Sequence, residues 1–191
     1  LQWVARLVGA RDEAALLAEV EASAAPPGGL LFLPYLSGER TPHDDPDAQG
    51  VFFGLTHDSD RAALGRAVLE GVAFAFADGQ DALLEAGAEL REVTLIGGGA
   101  RSRLWARILA AVLGRPLMLR SGGEVGPALG AARLARLGTT GPAAADVCLP
   151  PPVEAVVEPD AALAARYADP LARWRALYAR TRDLFPPGEP A

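Results

Sequence analysis

The chain has no lysine; all 18 of its basic residues are arginine. That excludes a phosphate-loop lysine and a Schiff-base lysine within it. Cysteine is almost absent as well. The lone Cys148 cannot build a disulfide framework, and its isolation fits a reducing, cytoplasmic setting. With one cysteine and two histidines, a Cys/His zinc site is not expected. No apolar run approaches the roughly 20 residues a membrane helix needs, and no signal-peptide pattern opens the chain, so no membrane partner is expected. Positive charge is the scarcer sign: 24 acids face 18 bases, a net charge of −6. No basic patch of the kind that binds a phosphate backbone stands out, so nucleic acid is not an expected partner. A start residue is missing too. The first residue is Leu1 and the only methionine is Met118, so the chain is expected to be processed or a piece of a longer one.

What is present suits a globular α/β unit. Half of the 191 residues are hydrophobic, enough for a sizeable core. The 21 glycines and 16 prolines are expected in loops. Apolar residues at 1, 3, 4, 7 and 8 predict a helix end closed by Gly9. A second helix is predicted over 11–25, then strands at 30–36 and 51–55 separated by a turn-rich loop. Ser59 or Asp60 is positioned to cap a long helix to Ala86, apolar nearly all round and expected to be central and buried. Strands over 93–97 and 116–120 alternate with helices over 102–113 and 127–137, and Gly130 and its neighbouring alanines permit close packing of the latter. The stretch 141–159 reads as a Pro/Ala-rich connecting loop, 160–186 as a helical segment interrupted or kinked at Pro170, and 187–191 as a tail. There is no internal repeat.

The stretch VTLIGGGARSRLW, 93–105, carries the most chemical information. A strand runs into Gly97, Gly98 and Gly99, and a helix opens at Ser102. Glycine there serves a turn that needs unusual dihedrals, or a ligand brought against bare backbone at the positive end of a helix. A dinucleotide fingerprint asks for a third small residue where this chain has Ser102, and for an acid about 20 residues further on. That region, Leu117 to Arg120, has none, so NAD is the weaker reading and a bare structural turn remains open. The run HDDPD, 43–47, offers one imidazole and three carboxylates to a metal, but turn-forming Asp and Pro favour a solvated loop. Glu39 with Arg40 reads as either a catalytic or a local ion pair, His57 suits a cap or solvent, no acid–base dyad assembles, and Tyr35–Glu39 lacks the glycines of a serine nucleophile elbow.

Four blocks, LPYLSGERTPHDDPDAQGVFFGLTHD, AVLEGVAFAFADG, VTLIGGGARSRLW and SGGEVGPALGAARLA, closely resemble in order and spacing the C-terminal half of sugar kinases of the FGGY family. Within it the blocks are most like the xylulokinase type. The resemblance runs from Leu1 to Leu137 and implies an actin-like ATPase (ribonuclease H-like) lobe, a mixed sheet flanked by helices, over residues 1–140. It implies ATP or ADP with Mg²⁺, a sugar substrate (D-xylulose first, with glycerol, ribulose and gluconate as alternatives), and an N-terminal lobe carrying the catalytic Asp. No catalytic residue and no metal ligand is implied in this chain. Gly98, Gly99 and Ala100 would meet the nucleotide. Arg103 stands where relatives often have an Asn near the adenine, and Gln2 matches a nucleotide-contacting Gln. Gly97, Gly122, Gly123 and Glu124 resemble turns at the cleft or hinge. A lobe without its partner is expected to be inactive alone and to expose apolar surface, which could also drive homodimer formation. A non-catalytic nucleotide-binding or interaction module is the alternative.

Overall fold

The computed structural model describes residues 1–23, 26–123, 126–141 and 143–186. In chain order the elements are α1 (Gln2–Leu7), α2 (Glu13–Ala22), β1 (Leu31–Leu33), β2 (Val51–Phe53), α3 (Arg61–Glu85), β3 (Val93–Leu95), a 3-10 turn (Gly98–Arg101), α4 (Arg103–Leu113), β4 (Leu117–Arg120), α5 (Pro127–Thr140), α6 (Ala144–Val147), β5 (Val153–Val157) and α7 (Ala161–Thr181). Strands β1 and β2 form an antiparallel pair with Leu31 opposite Phe53. A separate mixed sheet has the order β3-β4-β5. In it β3 runs parallel to β4, with Val93 opposite Leu117, and β5 runs antiparallel to β4, with Val157 opposite Leu117.

Helix starts follow the side chains that cap them. Asp12 accepts from the Ala15 N–H at 2.7 Å, Asp60 from the Ala63 N–H at 2.7 Å, and Asp160 from the Ala162 and Leu163 N–H groups. Of the two candidates for α3, Asp60 is the cap, while Ser59 accepts from the Thr56 N–H.

The long helix α3 is central, but not buried all round. Its face from Ala62 to Asp78 is largely buried, whereas Phe76, Leu83 and Leu84 are exposed. The close approach of α3 to β1 needs Gly71, because a Cβ there would lie 2.1 Å from the Phe32 carbonyl oxygen. Helix α7 closes the core from the other side. Trp174, fully buried, donates its indole N–H to that same carbonyl at 2.7 Å, and Tyr167 donates its hydroxyl to Glu70 at 3.0 Å. Arg175 reaches Asp78 and Asp81, each at 2.6 Å, and Tyr178 donates to Asp45 at 2.7 Å.

Three expectations need correcting. Helix α7 is not interrupted at Pro170: it runs unbroken through that residue, which is buried against Gly28. Gly28 has φ +70°, and a Cβ there would fall 2.1 Å from the proline ring. The stretch 141–159 is more than a loop. It holds α6 and β5, and Arg120 fastens its entry by donating to the Pro151 carbonyl at 2.8 Å. Helix α5 does not pack closely: no atom lies within 4 Å of a Cβ built on Gly130, and Leu134 is 71% exposed. Within the described chain it rests mainly on α6.

Two predictions follow from α7 and its seat. Replacing Trp174 with Ala removes a buried ring and a buried donor, and should cost about 3–5 kcal/mol in denaturant unfolding. A loss below about 1 kcal/mol would show that α7 is not part of the core. Glu70 is 2% exposed, and burial raises its pKa to about 7, although the Gly28 N–H, the Tyr167 hydroxyl and Arg66 pull it back. The unfolded carboxyl ionises near 4.5. The folded state therefore binds the extra proton, and this group favours folding below about pH 4.5, a contribution lost as pH rises through about 7. Glu70→Gln should gain roughly 2–3 kcal/mol on the wild type between pH 5 and pH 8. Parallel melting curves for the two proteins across that range would contradict the assignment.

Candidate functional site

The site grows from the carboxyl ends of the two parallel strands. After β3 the chain turns through Gly97, φ +82°, whose N–H donates to the Gly123 carbonyl at 2.8 Å in the turn after β4. Gly126 donates to the same carbonyl at 3.3 Å. Such ends, where a strand hands over to a helix, are where open α/β sheets gather ligands. Ser102 accepts from the Trp105 N–H at 3.1 Å and caps α4, the helix that follows the glycines. That role accounts for the serine where a dinucleotide fingerprint would have its third glycine.

The glycines open onto a cleft of about 1010 Å³. It is walled by α2, by the Val68–Val72 face of α3, by the start of α1 and by the turn into α4. The structure brings Gln2, Gly98, Gly99 and Arg103 together on this cleft. Gly97 and Gly123 hold the two turns against each other, Gly122 at φ +66° belongs to the second turn, and Ala100 is half-buried. Glu124 lies outside the described residues.

The two central glycines differ in kind. A Cβ on Gly99 would lie 3.0 Å from the Trp105 indole, so a side chain there requires the ring to shift. A Cβ on Gly98 would meet no atom within 4 Å. Nothing inside the lobe requires Gly98, and its bare backbone faces free space at the start of a helical turn. Among the described residues its N–H has no hydrogen-bond partner. That is the geometry in which a phosphate or ribose oxygen can approach.

Sequence reasoning missed part of this wall. Arg101 and Trp105 also line the cleft, as do Glu13, Ala14, Leu17, Ala18 and Glu21 of α2. The spacing 14, 17, 18, 21 is one helical face, a signal present in the sequence but without a partner to aim it. Arg101 adds a second exposed cation to Arg103.

The loop 37–47 is a different place. Glu39 and Asp45 bond backbone to backbone, His43 stacks on Tyr178 at 3.9 Å, and Asp45 accepts from Tyr178. These side chains fasten the loop to α3 and α7. Among the described residues no three Asp, Glu, His or Cys side chains converge as metal ligands. His57 is exposed.

The difference between the glycines is measurable. Gly98→Val should leave thermal unfolding within about 0.5 kcal/mol of wild type, whereas Gly99→Val must displace Trp105 and should lose about 1–3 kcal/mol. Equal losses would show that Gly98 is also required by internal packing.

Comparison with known proteins agrees with this geometry. Residues 1–138 match the model of the FGGY family of carbohydrate kinases, C-terminal domain. A xylulose kinase of Escherichia coli is 48% identical over 186 residues, covering 97% of this chain and 38% of the relative. The solved structure of a Brucella ovis kinase, called xyloylose kinase, superposes with a TM-score of 0.83 at 43% identity, covering 95% of this chain and 38% of the other. The xylulose kinase of Rhodospirillum rubrum gives 0.76 at 35% identity, with 96% and 38% covered. The chain thus spans under two fifths of the length of these relatives. Its fold is the actin-like ATPase fold of the sugar kinases, a mixed sheet flanked by helices. A cleft at the ends of parallel strands, a glycine turn open to it and a family match over 138 residues lead to one assignment: the chain belongs to the FGGY family of carbohydrate kinases, whose C-terminal domain it contains.

Proposed function

We propose that this chain is the nucleotide-binding lobe of an ATP-dependent kinase that converts D-xylulose to D-xylulose 5-phosphate. The observation that carries the nucleotide part is Gly98: bare backbone facing an open cleft that nothing inside the lobe fills. The choice of sugar follows the xylulose kinases among its relatives. On this reading the turn 97–100 lies along the ribose or phosphates, and Gln2 and Arg103, which line the same cleft, contact the nucleotide. Gly97, Gly122 and Gly123 hold the turn in place. Residues 1–140 form most of the lobe, 141–159 add β5 to its sheet, 160–186 pack back on it, and the tail 187–191 lies outside the described residues. A kinase drawing on cytoplasmic ATP suits a chain whose one thiol is exposed.

Phosphoryl transfer needs alignment and charge neutralisation more than covalent chemistry from the protein. This lobe offers helix-start N–H groups and the cations Arg101 and Arg103. Mg²⁺, when bound, neutralises the phosphate oxygens. On this reading its ligands are the phosphates and groups of the other lobe. The base that takes the sugar hydroxyl's proton would also come from there.

The test is a chimera of the N-terminal part of the E. coli relative and this chain, assayed for ADP release. D-xylulose should support turnover of about 1–100 s⁻¹, glycerol and gluconate far less, and the 191-residue chain alone almost none. A chimera that folds but turns over glycerol or gluconate in preference overturns the sugar assignment. Kinase-like turnover by the chain alone overturns the division of labour between lobes.

A further inference from the structure

Across α3 from the glycine turn lies another hollow. It is a pocket of about 320 Å³, at the small end of the roughly 300–1,000 Å³ that ligand pockets occupy. Its polar wall is Thr56, Asp58, Ser59, Arg66 and Glu70, while Pro26 and Leu30 give it apolar surface. It shares no lining residue with the nucleotide cleft, although α3 walls both. Ala63, Arg66, Ala67 and Glu70 face this pocket, and Val68, Leu69 and Val72, on the opposite side of the helix, face the cleft.

Two of the polar groups are charges drawn out of water: Glu70 is 2% exposed, and the Arg66 side chain 13%. Groups so placed need hydrogen-bond partners. Glu70 accepts from the Gly28 N–H at 2.9 Å and from the Tyr167 hydroxyl at 3.0 Å, one donor on each oxygen, which leaves each oxygen further capacity to accept. Arg66 donates through Nη2 to the Val20 carbonyl at 3.2 Å, and its Nη1 stands 3.8 Å from Glu70. Its Nε–H is buried and has no partner among the described residues. A charged donor short of an acceptor thus lies beside carboxyl groups that can take more donors. An anion here would face Asp58 and Glu70, and a cation would face Arg66. A hydroxyl both donates and accepts, so several hydroxyls on a short carbon chain answer both needs at once. We propose that this pocket is a second binding site, for a small neutral polyol whose hydroxyls accept from Arg66 and donate to Glu70 and Asp58. It is separate from the nucleotide cleft and does not depend on the sugar assigned to the kinase.

A titration of the 191-residue chain with xylitol, following the amide and arginine Nε–H resonances, tests this. Saturable shifts should appear at residues 54–59 and 63–70 and at the Arg66 Nε–H, with the glycine turn unmoved. Ala63→Phe, at a half-buried position on the pocket wall, should abolish saturation and leave the melting temperature nearly unchanged. Asp58→Ala, at an exposed position, should raise the dissociation constant at least about threefold. It decides the matter alone if Ala63→Phe does not fold. Gly98→Val should leave the xylitol titration as it is in the wild type. Shifts that grow without saturating, that centre elsewhere, or that persist unchanged in either folded variant overturn the proposal. So does inorganic phosphate or methylammonium saturating the same resonances at lower concentration than xylitol, for then the pocket takes a charged ligand.

Discussion

The Phe32 carbonyl is the point on which the lobe is assembled. One side of it takes the backbone of α3 so closely that only Gly71 fits, and the Trp174 indole N–H bonds it at 2.7 Å. A buried carbonyl left without a donor would cost on the order of 1–3 kcal/mol, so this bond fixes α7 as much as α7 fixes β1. Tyr167 on Glu70, Arg175 on Asp78 and Asp81, and Tyr178 on Asp45 extend the same seam along α7. Burial disfavours the charge on Asp78 and on Glu70, and Arg175 and Arg66 respectively offset part of that. Helix α7 is thus the clamp that positions α3.

With α3 in place, the cleft follows. Helix α4 packs on α3 and α7 and buries Ala106, Ile108, Leu109, Ala110 and Ala111, which fixes where the glycine turn emerges. The turn is then locked to its neighbour by the Gly97–Gly123 bond. Within it the three glycines divide the work. Gly97 takes a dihedral that L side chains avoid, Gly99 leaves room for Trp105, and Gly98 leaves room for nothing the lobe itself contains. Conformation and packing give Gly97 and Gly99 reasons within the lobe, and Gly98 has only the open cleft.

The helices and the main strands were legible because their signals are local. Aspartate caps, the 3.6-residue apolar spacing and a strand running into glycines need no knowledge of the rest of the chain. What was not legible depended on contacts distant in sequence. Strand β5 forms because β4 offers it an edge and Arg120 ties its entry, while its own residues, VEAVV amid prolines, read as a loop. Pro170 stays inside a helix because Gly28, 142 positions earlier, accommodates its ring. The acids and small residues of α2 became a cleft wall only once α3 brought them opposite the glycines. The exposed apolar residues of α3 were invisible for a related reason: an apolar side chain reads the same in a sequence whether it is buried or open to water.

The central claim is that the turn after β3 seats a nucleotide. Its most direct test is a titration of the isolated chain with Mg-ADP, with amide resonances followed residue by residue. The account predicts saturable shifts concentrated at residues 97–103, at Gln2 and along the cleft face of α2, with the loop 37–47 unmoved. Saturable shifts centred on that loop, or a folded chain whose glycine-turn amides stay still at millimolar ADP, would contradict it.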